Sequence, residues 1–295
     1  MTRFDLCLTW TWEYDADFVA LLDSACRARW RSLLQITPRN LDEMLVCLAS
    51  GEVAFRALYD RACDFDPRFL PLVDWAARLA ARPVNPYERA RRSWDKATMH
   101  LDFISAGLHT PYTIILSPYD ERPVPPHIDL SPLGERFSIK PAHGGGGDGV
   151  IVEATDLSQV CAAQQEHPSD KYLLQAHITP VGLGLKKAWF RSIYCLGRIY
   201  PCWWDTETHI YSPLVSLSAG GYDLSPLVTI TTSIARLIGL ELFSTEIALV
   251  EDGRFLVIDY VNEQLDLRLQ SAAVDGVPDW IVHDIASRLA AFPLP

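Results

Sequence analysis

Apolar and polar positions alternate along residues 4–10, and this two-residue period predicts a first strand. Asp15 then stands where a helix needs a cap, ahead of Phe18, Leu21, Leu22 and Ala25 at helical spacing. Residues 32–36 read as a short second strand ended by Thr37-Pro38, residues 41–48 as a helix, 53–59 as a third strand and 69–80 as a helix. Strands alternating with helices predict a parallel α/β lobe. The stretch Pro83-Val84-Asn85-Pro86 marks its boundary.

Beyond that boundary the pattern changes. Residues 93–107 predict a helix capped by Ser93 and closed by Gly107, and the proline-rich, polar residues 117–132 predict a surface loop. Strands at 137–142 and 150–153 flank a glycine loop, and another strand covers 172–178. Residues 189–195 and 198–203 form a hairpin around Leu196-Gly197, and 227–240 form a helix. A last hairpin, 246–250 and 254–260, turns at Glu251-Asp252-Gly253, before a helix over 278–289 that begins with proline. The expected class is therefore α/β followed by α+β.

With 295 residues and 49% hydrophobic content, the chain has enough apolar surface for several packed lobes. Its 26 basic and 37 acidic residues leave a net charge of −11, so no global field draws it to nucleic acid or to an anionic membrane. The basic run at Arg89, Arg91 and Arg92 reads as a solvated helix face. Seven cysteines are scattered without a CxxC pair, and the first six residues lack the apolar core of a signal peptide. Together they predict a reduced, cytoplasmic protein. No apolar run reaches the roughly 20 residues needed to span a bilayer.

The loop His143-Gly144-Gly145-Gly146-Gly147-Asp148-Gly149 is the strongest local signal. Consecutive glycines let backbone N–H groups approach an anion unobstructed. A dinucleotide loop opens a helix, whereas this one leads into the β-branched Val150-Ile151-Val152, and GK[ST] is lacking. A strand, a glycine loop and a return strand make a flap over phosphates. Lys140, just before the loop, is placed to neutralise phosphate charge. In the final hairpin, Glu246 and Asp259 interrupt apolar strands, where acids are costly unless paired or bound to a cation. With the Asn262 amide they offer oxygen ligands to Mg²⁺, with Mn²⁺ as the alternative. Glu263 is either a spare ligand or a surface residue.

These segments, in this order, resemble the ATP-grasp superfamily. Trp94-Asp95-Lys96 with the Gly107-Leu108-His109-Thr110-Pro111 exit resembles its Asp-Lys helix, and Lys140 with the glycine loop resembles its phosphate flap. Tyr172-Leu173-Leu174-Gln175 resembles its hinge strand, and Glu246, Asp259 and Asn262 its metal site. The hinge has Ala176 where an acid is usual, and Asp259-Tyr260-Val261-Asn262 is one residue longer than the usual spacing. The resemblance implies an N-terminal lobe over residues 1–92 and two lobes clasping ATP over 93–180 and 181–295. It implies that Lys96 and Lys140 contact phosphates and that Gln175, Ala176, His177 and Ile178 line the adenine slot. Arg191 would stabilise phosphate and the reacting centre.

The implied reaction joins a carboxylate to an amine through an acyl phosphate, with ATP and Mg²⁺ as cofactors. The implied partners are small-molecule or peptide acids and amines, and a homodimer is allowed for. A kinase of a small hydroxyl compound and a non-catalytic ATP-binding module are the alternatives. Trp10, Trp12, Glu13, Trp203, Trp204, Asp205 and Arg268 follow strand ends and suggest an aromatic substrate wall with one arginine, or else plain core packing.

Overall fold

The first apolar alternation folds as β1 (Thr2–Trp10), at the centre of a parallel sheet with β2 (Leu33–Ile36), β3 (Val53–Arg61) and β4 (Arg82–Pro83), in the order β2-β1-β3-β4. The coordinates are a computed structural model describing residues 1–122 and 127–294. Helices α1 (Ala16–Arg27), α2 (Leu41–Ala49) and α3 (Leu70–Arg78) connect the strands. A parallel sheet is covered on both faces. Accordingly Leu6 and Leu8 pack with Phe18 and Leu22 of α1, while Cys7 packs with Leu41 of α2 and Leu72 of α3.

Asp15 departs from its expected role. Its side chain makes no capping bond and is buried. It accepts from Arg61 Nε at 2.9 Å and Nη2 at 2.7 Å. Arg61 ends β3, two residues beyond the strand expected from the sequence. It also donates to the Tyr59 hydroxyl at 3.1 Å and to the Leu265 carbonyl at 2.9 Å, in the C-terminal part of the chain. A buried fork of this kind needs every donor matched.

The expected helix over 93–107 is two helices, α4 (Tyr87–Ser93) and α5 (Lys96–Ser105). Ser93 does not cap; its hydroxyl donates to Ala90 O. Asp95 caps instead, in extended conformation, accepting from the N–H groups of Ala97 and Thr98. Asn85, in the expected boundary, is buried and holds the start of a later strand through Leu242 O, Leu242 N and Glu241 N.

A small antiparallel sheet follows, made of β5 (Thr113–Leu116), β6 (Phe137–Pro141), β7 (Ile151–Ala154) and β8 (Tyr172–Ala176) in the order β5-β8-β6-β7. Helix α6 (Leu157–Glu166) backs it, begun by a capping box of Asp156 and Gln159. The surface loop expected over 117–132 includes residues 123–126, which lie outside the described residues. Two short hairpins, β9 (Gly182–Leu183) with β10 (Lys186–Lys187) and β14 (Ser218–Ala219) with β15 (Tyr222–Asp223), flank the larger sheet. That sheet comprises β11 (Trp189–Cys195), β12 (Arg198–Trp204), β13 (Tyr211–Pro213), β16 (Leu242–Leu249) and β17 (Phe255–Asn262), in the order β13-β12-β11-β16-β17.

One face of the five-stranded sheet is covered by α5 and by α7 (Pro226–Ile238), through Phe103, Leu227, Ile234, Phe190 and Val257. On the other face, Ile193, Cys195 and Cys202 pack with α1 and with α8 (Asp279–Ala290). The first lobe therefore covers part of that face. The remainder, at Trp189, Arg191, Glu246 and Asp259, adjoins Lys140 of the small sheet.

Asp15→Ala leaves the Arg61 guanidinium buried without its counter-charge. The variant is expected to lose about 3–5 kcal/mol of stability in urea denaturation, and a second substitution, Arg61→Met, is expected to recover part of the loss. An unchanged midpoint in Asp15→Ala would show that the pair contributes nothing to holding the lobes.

Candidate active site

The site is built on a strand irregularity. Ser244 of β16 pairs with Asn262 of β17, Glu246 with Asp259, and Ile247 with Val257, so β17 carries two extra residues across this interval. Such bulges re-aim side chains. One of them absorbs the long Asp259–Asn262 spacing, and Glu246 and Asp259 end up facing each other across the ladder. Burial pushes the Glu246 carboxyl above its ordinary range; Arg191 opposes that shift and the neighbouring Asp259 charge adds to it. Trp189 Nε1 donates to Glu246 Oε2 at 2.9 Å.

Arg191 lies opposite Glu246 on β11, its Nη1 3.7 Å from Glu246 Oε1. Its Nε donates to Ser244 Oγ at 3.3 Å, and its guanidinium lies 4.7 Å from the Trp204 ring centre. With the Asn262 amide oriented to satisfy both neighbours, its oxygen accepts from Arg191 Nη2 at 2.6 Å and its nitrogen donates to Gln264 O. Asn262 was expected on the metal; here its oxygen serves Arg191. Glu263 is not a surface group. It is buried, accepts from Asn85 Nδ2 at 3.0 Å, and is pushed up to about 7 by burial.

Lys140 on β6 completes the charge arrangement. Burial holds its ammonium below the ordinary lysine range, while Asp259 and Glu246 pull it back up and Lys96 pushes it further down. Its Nζ donates to Gln175 Oε1 at 2.8 Å, Gln175 Nε2 donates to the Tyr260 hydroxyl at 3.1 Å, and that hydroxyl meets His100 Nδ1 at 2.7 Å. Gln175 is buried on the central strand β8, paired on both sides. It therefore supports Lys140 from within the fold. Ala176 still pairs with Phe137, whereas His177 is exposed beyond the strand. Ile178 packs with Trp189, Ala248, Leu256 and Ile258 in a small apolar cluster beside the carboxylates.

The flap between β6 and β7 needs its glycines. Gly144, Gly146, Gly147 and Gly149 have φ values of +103°, +64°, +83° and +66°, where side chains are strained. Gly145 has no such requirement. Lys96 anchors the flap, its backbone N–H donating to Ala142 O and its Nζ to Gly144 O. His143 bonds Asp170 twice, from its backbone N–H at 2.8 Å and from ring Nδ1 at 2.8 Å. Its ring thus fixes the base of the flap. Asp170, Ser244, Trp189 and Tyr260 escaped the sequence reading, and only Tyr260, adjoining Asp259, carried a visible signal.

The expected substrate wall is rearranged. Trp203 stacks on Phe190 at 4.7 Å in the cluster under α7, while Trp204 faces Arg191. Arg268 is not free for a carboxylate, because Asp266 and Asp275 occupy its fork at 2.6 and 2.8 Å, with Trp12 beside it.

Two carboxylates in register, with Asp259 raising the charging cost of Glu246, fit a divalent cation held through oxygen. Among the described residues no group of three or more His, Cys, Asp or Glu side chains forms a metal cage. Glu246 and Asp259 alone would supply the protein ligands, an arrangement suited to Mg²⁺, which keeps waters and substrate phosphates in its shell.

No family model matches the chain, and no curated protein matches it in sequence. Solved structures do. A RimK-domain ATP-grasp protein from Sphaerobacter thermophilus superimposes at a TM-score of 0.63 and 19% identity, covering 99% of this chain and 100% of that one. D-cycloserine synthetase DcsG gives 0.60 and 16%, covering 98% and 99%, and macrocyclase MdnB from Microcystis aeruginosa 0.64 and 14%, covering 98% of each. The chain has the ATP-grasp fold.

Lys140→Ala is expected to weaken Mg-ATP binding by about 1.5–3 kcal/mol, the scale of a charge-assisted hydrogen bond. Calorimetric titration reads this directly, and unchanged affinity in a folded variant would remove Lys140 from the phosphate role. The hydrogen bond to Asp170 raises the His143 pKa, against the opposing effect of burial. The stabilisation from this pair is therefore complete below the free-histidine value of 6.5 and fades as pH rises through the folded value. In an NMR titration the His143 ring is expected to have its midpoint above 6.5, falling toward 6.5 in Asp170→Asn. Equal midpoints in the two proteins would mean that the ring and the carboxylate do not interact in solution.

Proposed function

We propose that the protein is an ATP-dependent ligase that joins a carboxylate to an amine through an acyl phosphate, releasing ADP and phosphate. The carrying observation is that Lys140, Arg191, Glu246 and Asp259 converge as alternating charges between two sheets, with no hydroxyl or thiol nucleophile among them. Such a site is equipped to position and neutralise phosphoryl transfer, not to form a covalent enzyme intermediate. ATP would lie between the sheets, adenine against Ile178, Leu256 and Ile258, and phosphates under the Gly144–Gly147 amides beside Lys96 and Lys140. Mg²⁺, held by Glu246 and Asp259, would neutralise the transferring phosphoryl group.

The chemistry then follows in two displacements. A substrate carboxylate oxygen attacks the γ-phosphorus, the bond to the bridging oxygen breaks, and ADP departs. An amine attacks the carbonyl carbon of the acyl phosphate, the carbon–oxygen bond to phosphate breaks, and the amine loses its proton to solvent. Arg191, held in place by Ser244, Asn262 and Trp204, is the cation available to the carboxylate and the transferring phosphoryl group. The glycine flap excludes water, which would otherwise hydrolyse the acyl phosphate.

The structural neighbours support this reading. Their descriptions include D-cycloserine synthetase, macrocyclase MdnC bound with precursor peptide MdnA, and ATP-grasp ligase PsnB with a minimal precursor, Mg and ADP. Small amino compounds and peptides are accordingly the substrate classes to screen.

Once a substrate pair is found, an acid labelled with ¹⁸O in its carboxylate is expected to pass label into the released phosphate. Amide formed with no label in phosphate would sink the acyl-phosphate route, and AMP as product would indicate adenylation. A phosphorylated product with no free phosphate would identify a kinase instead.

A further inference from the structure

A second concentration of positive charge lies away from the nucleotide site and shares no residue with it. A cavity of about 260 Å³ opens between α4, α5 and the last turn of α7, lined by Arg89, Arg92, Asp102 and Arg236 over an apolar floor that includes Met99 and Ile238. Three arginines thus line one cleft in a protein of net charge −11. Only one is neutralised by a carboxylate, through the Arg92–Asp102 pair. Arg236 is exposed and makes no hydrogen bond or ion pair among the described residues.

Arg89 is held in place by the backbone. Its Nη1 donates to the Gly239 carbonyl at 3.1 Å, at the end of α7. Gly239 has a φ of +66°, and a Cβ at that position would collide with the Arg89 guanidinium. Glycine here therefore serves two ends. It closes the helix in the left-handed conformation, and it leaves room for Arg89 to lie across the helix end.

We propose that this cleft is a binding site for a small organic dianion, which presents a phosphoryl or carboxylate group to Arg89 and Arg236 and rests its carbon skeleton on Met99 and Ile238. Like-charged guanidinium groups repel, and an oxyanion that bridges two of them relieves the repulsion while filling their planar donor forks. The cleft lies within about two turns, along α5, of Lys96, which holds the flap. An occupant there would brace the helix that carries a phosphate contact. The proposal stands whether or not the chain proves to be a ligase.

The test is calorimetric titration of the full chain with inorganic phosphate, and separately with succinate, at low ionic strength and with Mg-ADP already saturating the nucleotide site. Saturable uptake of at least one anion is expected. Tighter phosphate binding assigns a phosphoryl ligand, and tighter succinate binding a dicarboxylate. Arg236→Ala, which removes no hydrogen bond or ion pair among the described residues, is expected to weaken uptake about tenfold, the effect of losing one charge-assisted hydrogen bond. Arg89→Ala is expected to do the same, with Arg89→Lys recovering only part. Uptake of neither anion overturns the proposal, as does uptake that both variants leave unchanged.

Discussion

Two carboxylates that face each other across neighbouring strands set the terms for everything around them. Burial makes Glu246 costly to charge and the neighbouring Asp259 adds to that cost, and the groups nearby answer it: Lys140 from the small sheet, Arg191 from the adjoining strand, and the Trp189 indole N–H. Each of these needs support in turn. Lys140 rests on Gln175, Gln175 on Tyr260, and Tyr260 on His100. Arg191 rests on Ser244, Asn262 and Trp204. A half-satisfied polar network inside a protein is costly, so the chain of support runs until it reaches the packed core.

How much of this was legible in the sequence depended on whether a residue's role was local. The glycine loop could be read because a run of glycines has a conformational meaning wherever it occurs. Glu246 and Asp259 stood out because acids in apolar strands demand a partner. The α/β lobe followed from period alone. The partners of Asn262 and Gln175 could not be read, because an amide's neighbours are fixed by tertiary register, and here a bulge in β17 and pairing on both sides of β8 decided them. Asp15 looked like a cap because its spacing to the next helix suits one, yet Arg61, 46 positions away, claims it. Helix α6 was announced by its Asp156–Gln159 capping box but overlooked for want of a strong apolar stripe.

The lobes are joined by side chains more than by linkers. Asn85 grips the start of β16 with both ends of its amide, and Arg61 spans from Asp15 to the Leu265 carbonyl. The first reaches β16 itself and the second the segment just beyond β17, so both connect the first lobe's edge to the neighbourhood of the carboxylates. The open face at Trp189 and Arg191 is therefore bounded by elements whose spacing is fixed by hydrogen-bond length, while the exposed flap above it is held mainly at its base.

Helix α8 is the last helix described and packs against α1, the first. During synthesis on the ribosome, β1 and α1 emerge long before Ile281, Val282 and Ile285 exist to cover them. The first lobe must then wait, with Leu6, Leu8 and Phe18 only partly sheltered, while both antiparallel sheets are made and fold. A lobe made earlier is thus completed only by a helix made later, and until then its apolar side is open to wrong partners.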